Sequence, residues 1–123
     1  MKNQRPVYLN LWQIKQFLPA IISILHRISG VFLFLYIPFV LWALNDSLAS
    51  AAGFNAVQQL LGQPIIGLLT WLFMAALLFH LVAGIRHMIM DVGVGESLTA
   101  GRKGAYAVLG IAIVLIILVG IGL

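Results

Sequence analysis

The sequence predicts an all-α membrane protein with three transmembrane helices, a cytoplasmic N-terminus and a periplasmic C-terminus. Three observations carry that prediction. Of 123 residues, 63% are hydrophobic and only 8% charged, with a mean hydropathy of +1.10; a soluble domain carries about 25% charged residues. Three apolar stretches each reach the roughly 20 residues that a helix needs to cross a bilayer. The basic residues then favour alternate connections. Lys2, Arg5 and Lys15 precede the first stretch and Arg86, Arg102 and Lys103 flank the second connection, whereas residues 45–63 hold Asp46 and neither Lys nor Arg. The positive-inside rule therefore puts the N-terminus and the second connection in the cytoplasm.

The elements follow in order within one membrane domain, residues 1–123. Residues 7–18 read as an amphipathic segment for the inner membrane surface or a cytoplasmic partner. The spans are expected at about 21–44, 64–90 and 104–123, as helices because lipid leaves no partner for unpaired backbone groups and three segments cannot close a barrel. Pro19 and Pro64 stand near helix starts, where a missing N–H costs nothing. Pro38 lies inside the first span and should kink it. Residues 54–61 read as a short interfacial helix, and residues 92–101 as a glycine-rich turn. Trp42 and Trp71 fall near the outer interface, and Trp12 and Tyr106 near the inner one.

Composition excludes several classes. With no cysteine, this chain cannot form disulfides, ligate an iron–sulfur cluster through thiolates or attach a c-type haem. The first twenty residues mix Lys2, Arg5 and Lys15 with polar residues, unlike a signal peptide. The net charge of +4 is scattered rather than patched, so it fits membrane orientation and not nucleic acid. No nucleophile–base–acid set, phosphate loop or carboxylate pair is present.

Two short polar runs stand out against this background. Ser23, His26, Arg27 and Gly30 are spaced i, i+3, i+4 and i+7, and His80, Gly84, His87 and Asp91 are spaced i, i+4, i+7 and i+11. Each set is one stripe of a helix. They hold all three histidines of the chain, and an ionisable group at membrane depth costs about 2.5–3.5 kcal/mol on insertion scales. The predicted orientation brings both stripes to the cytoplasmic half, where they could line one pocket. His80 is the deepest, about 15 Å of helix from Met90, with Ala76, Ala83 and Gly84 as small neighbours. Such an imidazole is either an axial haem ligand beside a clear floor or a hydrogen-bonding residue at a helix interface. His26 and Arg27 either snorkel to phosphate head groups or bind an anionic group or a quinone carbonyl. Ser23 adds a hydroxyl to that patch, or simply bonds the helix backbone. Arg86 suits head groups or topology, and Asp91 suits pairing with one of these cations.

Arg5-Pro6-Val-Tyr-Leu9, Ser23-x-x-His26-Arg27-x-Ser29-Gly30 and His80-x-x-x-Gly84-x-Arg86-His87-x-x-x-Asp91 together resemble the cytochrome b membrane-anchor subunits of bacterial succinate dehydrogenase, over essentially the whole chain. The resemblance implies a multi-pass protein of the bacterial inner membrane, part of respiratory complex II and not catalytic alone. It implies a flavoprotein that oxidises succinate, an iron–sulfur subunit that passes the electrons on, and a second small anchor subunit. It implies a shared haem b and ubiquinone as substrate. By position, His80 matches the axial haem ligand, and the second anchor supplies the other. Ser23 and Arg27 match the quinone pocket, while His26 and Arg27 match the neighbourhood of the propionates. Gly84 and His87 match the cofactor motif, and Asp91 matches a residue of the quinone pocket or proton path. Alternatives are an anchor of a fumarate reductase, a structural anchor without cofactor, and a small transporter with a relay histidine. A haem held between His26 and His80 of this one chain is a further, less favoured, arrangement.

Overall fold

The computed structural model describes residues 17–122, and within them every regular element is helical. Helix α1 spans Phe17–Ala49, α2 Ala51–Leu61, α3 Pro64–Asp91 and α4 Leu98–Gly122. The segment read as amphipathic at residues 7–18 lies almost wholly outside the described residues, as does Trp12. Three helices, Leu18–Ala49, Pro64–Asp91 and Thr99–Gly122, are long and apolar enough to cross a membrane. At 1.5 Å per residue even the 25-residue α4 reaches about 37 Å, more than the ~30 Å hydrocarbon layer.

The caps explain where the elements stop. Helix α1 is continuous through Pro38. The Ser50 hydroxyl accepts the Gly53 N–H at 2.9 Å and so starts α2. Pro64 sits at the start of α3 after an extended Gln63, where its fixed φ favours the helix. Helix α3 ends in paired backbone bonds, Gly93 N–H to Met90 O at 2.9 Å and Val94 N–H to Ile89 O at 3.3 Å. That closure needs a left-handed residue after the cap, and Gly93 supplies it at φ 88°. The glycine-rich turn is shorter than expected. Helix α4 begins at Leu98, earlier than the hydrophobic pattern alone places it, where the Ser97 hydroxyl accepts the Ala100 N–H at 3.1 Å.

Neighbouring contacts fix an up–down–up arrangement. Tyr36 of α1 meets Thr70 of α3 at 3.2 Å, whereas His26, near the start of α1, meets His80, near the end of α3. Arg86 of α3 meets Gly101 at the start of α4, and Trp71 lies against Gly120 at its end. Helix α3 is thus the middle element, packed on both α1 and α4. Ile22, Ala83, Ala105 and Val108 form a small buried core where the three meet. Large apolar side chains such as Phe34, Leu35, Leu48, Ile65 and Ile121 are turned outward. In water such a surface would aggregate; in lipid or against other subunits it is the ground state.

Candidate functional site

The two polar runs meet where the first half of α1 lies against the last half of α3. Helix geometry sets which residues take part. One residue advances about 100° around the axis, so Ile22, His26, Ser29 and Gly30 form an arc that faces α3. Ile22 is 2% exposed and Ser29 7%, and Gly30 touches the ring of His80: a Cβ there would lie 3.1 Å from His80 Cε1. Ser23 is at the edge of this arc, half-buried. Arg27 falls beyond the edge and is exposed. The sequence-predicted stripe of four is therefore split, with its centre at His26.

His80 is held by two oxygens of α1. Its Nδ1 lies 2.9 Å from Ser29 Oγ and 3.1 Å from the His26 carbonyl oxygen, and Ser29 Oγ lies 2.8 Å from that same carbonyl. A carbonyl oxygen only accepts, so for a neutral imidazole the pattern is satisfied in one way. Nδ1 carries the proton and donates to both oxygens, and the serine O–H donates to the carbonyl. With Nδ1 bare, the single serine proton would leave two lone-pair contacts inside 3.2 Å. The proton on Nδ1 leaves Nε2 as the nitrogen with the lone pair.

The imidazole of His26 stacks on that of His80, centroids 4.0 Å apart and planes 8° from parallel, and His87 lies nearly parallel at 6.4 Å from His26. His26, His80, Leu81, Gly84, Ile85, His87 and Met88 line one cleft. Gly84 borders it beside His26, where a Cβ would sit in ordinary contact, 3.5 Å from His26 Nε2. Leu81, Ile85 and Met88 are 55%, 46% and 63% exposed, so the cleft has an apolar rim and opens outward from the bundle. A second, smaller cleft continues toward the end of α3, lined by Pro19, Ile22, Ser23, His26, Ala83, Arg86, His87 and Met90. His26 and His87 belong to both.

Several expectations change. Ala83 is not part of a floor beside His80; it is 4% exposed in the core with Ile22, Ala105 and Val108. Ala76 lines an apolar groove with Ser29, Phe32 and Phe79. The small neighbour that touches the imidazole is Gly30, from the other helix. Arg86 turns under α4, where its Nη2 donates to Gly101 O at 3.0 Å, so it ties two helices together rather than reaching for a head group. Asp91, the last residue of α3, is exposed and does not take Arg86 as its partner. Ser29 is the residue to which sequence reasoning gave no role. Its position three residues after His26 was the available signal, because that spacing puts it on the His26 side of α1.

The donor set suits an axial ligand to a metal that brings its own equatorial donors. Among the described residues no three His, Cys, Asp or Glu side chains form a metal cage. A tetrapyrrole needs none, only a neutral imidazole with one nitrogen anchored and the other bare. Stacked rings do not aim two nitrogens at one atom from opposite sides, so His26 and His80 are not arranged as a trans pair.

Comparison with known proteins covers the whole site. The profile of the succinate dehydrogenase/fumarate reductase transmembrane subunits matches residues 1–119. The succinate dehydrogenase cytochrome b556 subunit of Coxiella burnetii is 43% identical over 122 residues, 98% of each chain. Those of Rickettsia typhi and Paracoccus denitrificans are 34% and 31% identical, over 94% and 95% of this chain and 90% of theirs.

Proposed function

Given that the chain belongs to the succinate dehydrogenase/fumarate reductase transmembrane subunit family, we propose that it is the haem b-binding anchor of a succinate dehydrogenase and forms part of its ubiquinone-reduction site. It is a multi-pass protein of the bacterial inner membrane and a subunit of an oxidoreductase complex. The succinate-oxidising direction is supported by the names of the relatives, since the family includes both directions.

The observation that carries the proposal is the state of His80: Nδ1 bonded to two oxygens, Nε2 bare, on an apolar cleft open to one side. His80 would hold the haem iron through Nε2, with the other anchor subunit supplying a second ligand from the open side. A haem held there supplies a one-electron iron couple. His26, Gly84 and His87 would border its cleft, and Arg27 would supply the positive charge for its propionates with His26 beside them. Gly30 and Ser29 fix the plane and rotation of the His80 ring.

Quinone reduction takes two electrons and two protons. Ser23, on the smaller cleft, donates its hydroxyl proton in a hydrogen bond to a quinone carbonyl. Arg27 places a positive charge near the same oxygen as negative charge develops, where a low-dielectric setting strengthens the effect. Its exposure fits a pocket completed by the iron–sulfur subunit, which receives electrons from the flavoprotein. Asp91, at the membrane end of α3, is suited to proton supply. With lipid around the remaining faces and orientation set by the basic residues, the site end of the bundle is cytoplasmic.

The test is a redox-titrated optical spectrum of the purified complex together with paired assays. His80→Leu is expected to abolish the b-type spectrum, and an unchanged spectrum overturns the ligand assignment. Ser23→Ala and Arg27→Leu are expected to lower succinate–quinone reductase activity by about 10²–10³-fold, the cost of removing one preorganised donor. Succinate oxidation by a soluble acceptor should stay unchanged. Normal quinone rates in both variants remove these residues from the pocket.

A further inference from the structure

We propose that Ser29 is a positioning residue for the haem ligand: its hydroxyl, wedged between the His26 carbonyl and His80 Nδ1, orients the His80 ring and raises its electron density. The inference rests on the reading of His80 as the axial ligand. A serine inside a helix commonly bonds a carbonyl three or four residues back, and Ser29 does so to His26 O at 2.8 Å. That habit explains one bond. It does not explain the second, 2.9 Å across to another helix.

The two bonds reinforce one another. A hydroxyl that gives its proton to a carbonyl becomes a better acceptor, and here the acceptor side points at Nδ1–H. Ser29 is 7% exposed, and the groove beside it is lined by Leu25, Ile28, Phe32, Leu72, Ala76 and Phe79. Apolar surroundings of this kind strengthen a hydrogen bond relative to water. Oγ is also the nearer of the two oxygens, 2.9 Å against 3.1 Å for the carbonyl. An acceptor on the far nitrogen of a ligating imidazole makes the ring more basic and orients it. Greater basicity favours the oxidised over the reduced iron, so the hydroxyl holds the potential down.

Three side chains at position 29 separate this role from packing. Ser29→Ala removes the acceptor, Ser29→Thr keeps a hydroxyl that can bond the same backbone carbonyl, and Ser29→Cys places a weaker acceptor there. The complex carrying each variant is titrated optically, and the g values of its oxidised haem are read by electron paramagnetic resonance. Ser29→Ala is expected to raise the reduced-to-oxidised ratio several-fold at a fixed applied potential, with shifted g values. Ser29→Thr should restore the wild-type titration, and Ser29→Cys should fall between. An alanine variant that titrates like wild type overturns the proposal, and so does a threonine variant shifted as far as alanine. Should alanine cost the haem altogether, the cysteine variant decides: a reduced-to-oxidised ratio above wild type at the same potential supports the role and a wild-type titration overturns it. His80→Leu, measured alongside, separates the two failures. A retained spectrum there sinks the ligand reading and this proposal together, whereas a lost one leaves position 29 to be judged on its own titration.

Discussion

Helices α1 and α3 meet at two levels, around His26 and His80 and around Tyr36 and Thr70, and the two ends of that contact are built from different chemistry. At the histidine end, Ser29, Gly30, His26 and His80 form a layer in which a ring is held by two oxygens and a glycine. At the aromatic end, Tyr36 stacks on Phe73 at 4.7 Å and leans on Phe32 and Phe39. Each end has one hydrogen bond between side chains of the two helices, His80 to Ser29 at 2.9 Å and Tyr36 to Thr70 at 3.2 Å, and His80 adds a bond to the His26 carbonyl oxygen at 3.1 Å. The aromatic end has area to bury and makes one layer of rings. The histidine end gives up that area, replaces large side chains by glycine and imidazole, and leaves two clefts. Packing in lipid comes from close van der Waals contact, so the second choice costs stability. A function is the reason to keep it.

Filling the glycine is the most damaging way to break this contrast. A Cβ at position 30 would already lie 3.1 Å from His80 Cε1, and the stacked ring of His26 limits how far the ring can shift. Gly30→Leu is expected to lower the haem content of the purified complex about 10–100-fold, the range for disturbing the supports of a metal ligand. Gly30→Ala asks only for a shift of tenths of an ångström and should keep most of the haem. The ratio of haem to protein, measured on both variants, checks this. Full occupancy in the leucine variant would show that the ring is not held where the contacts imply.

How much of this was legible in the sequence depends on what sets each feature. Three spans were legible because lipid demands long apolar helices, and the two polar runs because ionisable groups are scarce there. Helix ends were not. Helix α1 runs to Ala49 and α4 starts at Leu98, beyond the spans expected at residues 44 and 104, because hydropathy marks the apolar stretch while the helical backbone continues past it. The faces were legible only in part. Spacing grouped Ser23, His26, Arg27 and Gly30, but the position of a neighbour decided that His26 and Gly30 point inward and Arg27 outward. The same limit hid the roles of Ser29 and Arg86. One looks like an ordinary helical serine and the other like a topology signal, and each finds its partner on a different helix.

The smallest effect is expected at the aromatic end, where it sharpens the contrast. Thr70 donates its hydroxyl proton to Ile66 O at 2.8 Å, so Tyr36 is the donor in the bond between the helices. Tyr36→Phe removes that bond and leaves the ring stack on Phe73. Hydrogen bonds between membrane helices are worth about 0.6 kcal/mol on average, because the separated helices also find partners. The variant should therefore lose only a little resistance to unfolding in mixed detergent. Its haem titration and its succinate–quinone reductase rate should match wild type, since the bond lies seven residues along α1 from Ser29, about 10 Å of helix. A shifted haem potential in Tyr36→Phe would show that the two ends communicate, and the division between an end that packs and an end that binds would fail.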